Sequence, residues 1–139
     1  MNFLDELYKE HKNLADVLDK HPGIRKLVED LYPDRAHFIY ELLQNAEDAE
    51  ATQALFILGQ DRLVFEHDGR PFTETDVERI TTIGEGKQDE DKIGRFGFGF
   101  KAVFAYSETP HVYSPTYSFK ITHMVLPRAV SEFMSQKLD

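Results

Sequence analysis

Apolar residues recur every three or four positions along the first thirty residues, and the recurrence stops at proline and glycine. Leu4, Leu7, His11, Leu14, Ala15 and Leu18 mark one face of an otherwise charged stretch, which predicts an amphipathic helix over 3–20. His21-Pro22-Gly23 ends it. Ile24, Leu27, Val28 and Leu31 repeat the period over a shorter stretch up to Tyr32-Pro33, and Asp34 stands where it would cap a following helix. These N-terminal helices, within residues 1–31, hold no catalytic constellation and are expected to pack, or to offer an apolar face to a partner.

The helix that follows carries two different faces. At about 100° per residue, Glu41, Asn45 and Asp48 fall within roughly 60° of one another, while Ile39, Leu42, Leu43, Ala46 and Ala49 gather on another side as the expected core stripe. Two carboxylates and an amide oxygen on one face are hard oxygen ligands with a candidate general base among them, the set that Mg²⁺–nucleotide chemistry uses. Taken alone, the same face could equally be a solvated one.

Downstream the period changes to that of strands. Gln53–Gly59 and Arg62–Glu66 are rich in Leu, Phe, Ile and Val and flank Gly59-Gln60-Asp61, which predicts a β-hairpin. His67-Asp68-Gly69-Arg70-Pro71 breaks the second strand. Thr73 as N-cap, Asp76 three residues on, and Phe72 with Val77 as a hydrophobic staple predict a helix to about Ile80. Phe100–Tyr106 reads as a short buried helix, His111–Ser114 and Tyr117–Leu126 as two more strands, and Arg128–Leu138 as weakly helical. Five of the eight glycines lie within 84–99 among charged residues, a composition suited to a mobile loop.

Composition narrows what such a chain can do. At 139 residues and 41% hydrophobic it fits one domain with a sizeable core. A net charge of −9 disfavours nucleic acid and anionic membranes as partners, so an anionic ligand needs a local site. There is no cysteine, which excludes disulfides and thiolate chemistry, and the six histidines show no zinc spacing. Without a long apolar run or a signal-like start, a soluble, cytoplasmic protein is expected.

Gly94-x-x-Gly97-x-Gly99 just before a helix suits phosphate, because glycines let the backbone approach and a helix start offers free N–H groups. Its spacing is neither that of the dinucleotide fingerprint nor that of the P-loop. Glu41-x-x-x-Asn45-x-x-Asp48-Ala49, then Asp68-Gly69 after a strand, then Gly94-Arg95-Phe96-Gly97-Phe98-Gly99-Phe100-Lys101, in that order, resembles the ATP-binding domain of the GHKL (Bergerat-fold) superfamily. Glu41–Ala49 and Ile93–Phe100 look most like its Hsp90-like, sacsin-type members. The resemblance covers roughly residues 32–107.

That resemblance implies an α+β two-layer sandwich, with helices on one face of a mostly antiparallel sheet of about four strands. It implies Mg²⁺-dependent binding and slow hydrolysis of ATP to ADP, with Glu41 polarising the attacking water and Asn45 placing its oxygen on Mg²⁺. Asp48 would line the pocket or hold the helix. The superfamily's adenine-reading Asp would align with His67, so that either Asp68 or His67 reads the base beside Gly69. Gly94, Phe96, Gly97, Phe98, Gly99 and Phe100 would close over the phosphates, with Lys87 or Lys101 as charge partner. Residues 84–99, beginning at Gly84, Gly86 and Lys87, would be a lid whose closure works as a chaperone-like switch on an unknown protein partner or downstream domain, with dimerisation open. The alternative is a non-hydrolysing interaction module that keeps the fold and binds nucleotide weakly or not at all.

Overall fold

The computed structural model describes residues 2–30, 37–82 and 100–131. In chain order they form α1 (Phe3–Lys20), α2 (Pro22–Asp30), α3 (His37–Asp48), β1 (Ala54–Leu58), β2 (Leu63–His67), α4 (Glu74–Ile80), a 3₁₀ helix (Phe100–Ala105), β3 (His111–Tyr113), β4 (Ser118–Thr122) and β5 (Leu126–Ala129). This is an α+β architecture with small antiparallel sheets.

The helix starts follow from local chemistry. Asn2 caps α1 by accepting from the Asp5 N–H at 2.9 Å. At α4, Thr73 Oγ1 accepts from the Asp76 N–H and Asp76 Oδ2 accepts from the Thr73 N–H, so the capping box forms in both directions. Leu4, Leu7, His11, Ala15 and Leu18 are the buried face of α1, which lies on β5. Val77 and Ile80 of α4 join Phe100, Phe104, Phe119 and Ile121 in the same core.

The strands depart from expectation in two ways. Among the described residues they form two sheets, β1-β2 and β3-β4-β5, rather than one of about four strands. The run expected as one strand over 117–126 is folded back on itself. His123 and Met124 adopt φ of 53° and 66°, a left-handed pair that turns the chain so that Thr122 faces Leu126 and Lys120 faces Arg128. The turn persists because Met124 and Val125 are fully buried and the Val125 carbonyl accepts from His11 Nδ1–H at 2.9 Å. Arg128 and Ala129 are therefore strand, where the apolar spacing suggests helix. Pro127 is tolerated because β5 is an edge strand that needs no donor on its outer side. Asp34 and residues 132–138 lie outside the described residues.

Candidate functional site

The site begins with the way α3 sits. Phe38, Glu41 and Ala46 are its buried residues, whereas Ile39, Tyr40 and Leu43 are exposed. The helix is thus rotated from the orientation that its apolar residues predict, and Glu41, only 7% exposed, faces inward. Phe38 stacks on Tyr106 at 4.7 Å, and α3 packs against the 3₁₀ helix, which fixes that rotation.

Three oxygens on the inward face are buried with no hydrogen-bond partner among the described residues: Glu41 Oε1, Asn45 Oδ1 and Asp48 Oδ2. They belong to the three residues that the sequence places on one face. Buried polar atoms are normally paired, because an unsatisfied one costs roughly 1–3 kcal/mol, so three in a row mark a place for water, an ion or a ligand. The second oxygen of each carboxylate is engaged. Glu41 Oε2 lies 3.1 Å from His37 Nε2, one turn back, and Asp48 Oδ1 accepts from Gln44 Nε2 at 3.4 Å. His37 was not singled out by sequence, although its i,i+4 spacing from Glu41 is the signal that finds it.

The turn after β2 closes the far end of α3. The helix ends with Glu50 at φ 63°, the Ala51 N–H bonded to the Ala46 carbonyl and the Glu50 N–H to that of Glu47. Arg70 takes the next carbonyls, its backbone N–H donating to Ala49 at 2.9 Å and its Nη2 to Asp48 at 2.6 Å. Gly69 passes so close that a Cβ there would meet the Ala49 oxygen at 2.7 Å. Asp48 and the His67–Arg70 turn, separate motifs in sequence, are therefore neighbours.

Within that turn the two candidate base readers differ. Asp68 is exposed, and its carboxylate accepts from the backbone N–H groups of Thr52 and Gln53 at 2.7 and 3.0 Å and from the Thr52 hydroxyl. The Thr52 hydroxyl first, then the Gln53 and Thr52 amides, hold its pKa down to about 2. Asp68 thus ties the entry of β1 to the exit of β2. His67 is half-buried, and its Nδ1 accepts from the Gly69 N–H at 2.9 Å. Burial lowers its pKa, with the Asp68 charge opposing, so the ring is neutral and Nε2 carries the proton.

The remaining candidates sit elsewhere. Lys101 is fully buried, with Nζ donating to the Ile80 carbonyl at 2.6 Å and lying 5.5 Å from the Phe104 ring centroid. Burial lowers its pKa to about 7. Phe100 belongs to the core, edge-on to Phe104. Gly84, Gly86, Lys87, Gly94, Phe96, Gly97, Phe98 and Gly99 lie outside the described residues. So does the lid.

Among the described residues no group of three or more His, Cys, Asp or Glu forms a metal cage. The donors fit Mg²⁺ in another way, since that ion keeps water and phosphate ligands and takes only one or two oxygens from protein. Asn45 Oδ1 is a suitable donor of that kind.

Comparison with known proteins gives two kinds of match. Residues 22–122 match the family model described as Sacsin domain. Protein NO VEIN of Arabidopsis thaliana is 31% identical over 121 residues, covering 82% of this chain and 4% of its own length. Sacsin of Homo sapiens is 31% identical over 104 residues, covering 61% of this chain and 2% of its own. The chain therefore spans a small fraction of these relatives. No solved structure matches it significantly.

Proposed function

The chain belongs to the Sacsin domain family, and on that premise we propose that the inward face of α3 binds a Mg²⁺–nucleoside triphosphate and hydrolyses it slowly. ATP is the nucleotide that the resemblance to the GHKL superfamily implies, and the cycle would act as a switch on a partner or a following domain. The observation that carries this reading is the column of unpartnered buried oxygens on Glu41, Asn45 and Asp48.

Each residue has a distinct task in this reading. Asn45 Oδ1 would hold Mg²⁺, which when bound would neutralise charge on the phosphate oxygens. Glu41 keeps Oε1 free to accept a proton from an attacking water, while the His37 contact to Oε2 fixes the carboxylate's rotamer. A group so held loses little freedom when the water arrives. Asp48 lines the same face one turn on, beside the turn that Gly69 and Arg70 seat. Gly94–Gly99 would supply backbone N–H groups to the phosphates.

A second reading, a module that binds a partner without turning nucleotide over, has its own support. Asp68 is engaged within the turn, and Leu27, Ile39, Tyr40 and Leu43 leave apolar surface exposed on α2 and α3. Calorimetric titration with Mg²⁺–ATP separates the two. The first reading expects saturable binding that EDTA abolishes and that Asn45→Ala weakens at least about tenfold, the factor for losing one charge-assisted contact. Absence of heat in the folded wild type supports the second.

A further inference from the structure

The β1-β2 hairpin carries more apolar surface than the described fold covers. Its strand residues are apolar except for Glu66 and His67, and none of them is buried. Leu55 and Leu58 are 51% and 76% exposed. The apolar positions fall on both faces, Ala54, Phe56 and Leu58 with Leu63 and Phe65 on one, Leu55 and Ile57 with Val64 on the other. Continuous apolar runs of this kind belong to strands that are covered on both faces. Among the described residues β1 has a neighbouring strand on one side only.

The hydrogen bonds at the two ends of the hairpin fix what its other edge presents. The Gly59 N–H donates to the Arg62 carbonyl and the Asp68 N–H to the Gln53 carbonyl, so Gln53, Leu55, Ile57 and Gly59 turn their main-chain groups toward β2. Ala54, Phe56 and Leu58 turn theirs outward. Such an edge is a template for another strand, and proteins blunt it with lysine, proline or a bulge. Here the register runs without a bulge, and residues 51–60 contain neither proline nor a charged side chain in a chain that is 29% charged.

We propose that the outer edge of β1 is a pairing surface for a second copy of this chain, joined antiparallel about a two-fold axis at Phe56. In that register Phe56 faces its own copy and Ala54 faces Leu58 of the second copy, so every outward residue meets an outward residue and each pair exchanges both of its N–H···O bonds. Sliding the strands by two residues leaves one outward residue of each β1 without a partner. The strip of Ala54, Phe56 and Leu58 becomes continuous across the axis. Self-pairing also suits a chain of net charge −9, because this edge brings no like charges together. The two-fold closes on itself as a sheet of order β2-β1-β1-β2, which uses up both β1 edges. None of this depends on the reading of α3 as a nucleotide site.

The test is analytical ultracentrifugation of the full chain over a range of concentrations, with amide hydrogen exchange at low and high concentration. A monomer–dimer equilibrium is expected. In the dimer the Ala54, Phe56 and Leu58 amides gain protection, while those of Leu55 and Ile57, already bonded to β2, change little. Leu58→Lys, at a side chain already in water, should weaken the dimer at least about tenfold by setting a charge on the edge. The chain has no cysteine, so Leu55→Cys and Ile57→Cys report the register. Mixed, the two variants should form a disulfide with each other, since these positions lie directly opposite, and neither should form one with itself. A chain that is monomeric at every concentration overturns the inference, whether its own residues cover the edge or not. So does a dimer that gains no protection at β1 or that Leu58→Lys leaves intact, and so do assemblies beyond the dimer, which would mean open-ended pairing. The wild-type exchange pattern decides the matter if the variants fail to fold.

Discussion

Glu41 and Asp68 show how the same functional group is given opposite tasks by its surroundings. Glu41 is buried with one oxygen free and one against His37, an arrangement with a proton-accepting position left open. Asp68 is in water with three hydrogen bonds already made. Its folded pKa of about 2 lies below the unfolded value, so the stability it contributes is present above about pH 4 and is lost as pH falls toward 2. Acid titration of the wild type against Asp68→Asn should show the wild type losing stability over that window and the variant, lower at neutral pH, changing less. Parallel curves would deny Asp68 its role in the turn. Gly69 is the other residue whose identity the fold dictates. An added methyl meets backbone at 2.7 Å, so Gly69→Ala should cost about 1–3 kcal/mol in denaturant unfolding, the scale of overpacking. A cost under about 0.5 kcal/mol would show that the turn can move away from α3.

At the scale of elements, the sequence was informative where a local signal and the tertiary contact agree. The α1 face from Leu4 to Leu18, the β1-β2 hairpin and the Thr73–Asp76 capping box are legible because spacing and caps act within a few residues. The rotation of α3 is not, since Ile39 and Leu43 look like core until Phe38 stacks on Tyr106 and turns them outward. The β4–β5 turn at His123 and Met124 contains no glycine or proline, and it is held by burial and by His11 from over a hundred residues away. Periodicity has no access to such contacts. The polar triad of α3 was legible as a set, but its burial and its unpaired oxygens were not.

Lys101 belongs to this scale because it joins two elements, the end of α4 at Ile80 and the 3₁₀ helix. Its charge is disfavoured by burial, which pushes its pKa in the folded chain down to about 7 from the ordinary lysine value of 10.5. Between those values the unfolded chain binds the extra proton, so stability should rise with pH from about 7 to about 10 and be flat just below 7. Lys101→Met, which keeps the length and removes the charge, should abolish that rise in thermal unfolding measured across the window. A wild type equally stable at pH 7 and pH 9.5 would contradict the burial of this amine.

For the whole molecule, a net charge of −9 repels a free triphosphate at long range, so the binding proposed above would have to rest on the local oxygens and an ion held there. Among the described residues no helix is long and apolar enough to cross a membrane. The chain spans only a small fraction of the length of these relatives. The most direct measurement is phosphate release by the folded chain with Mg²⁺ and saturating purine nucleoside triphosphate, alongside affinity, for the wild type, Glu41→Ala and Asn45→Ala. A general base acts when water attacks and contributes little to ground-state binding, whereas a metal ligand holds the complex itself. The account predicts that Glu41→Ala binds nucleotide nearly as the wild type does while releasing phosphate at least about a hundredfold more slowly, the lower end of a general-base contribution. It predicts that Asn45→Ala loses Mg²⁺-dependent binding. Equal phosphate release by the wild type and Glu41→Ala, or binding by Asn45→Ala indistinguishable from the wild type, would contradict it.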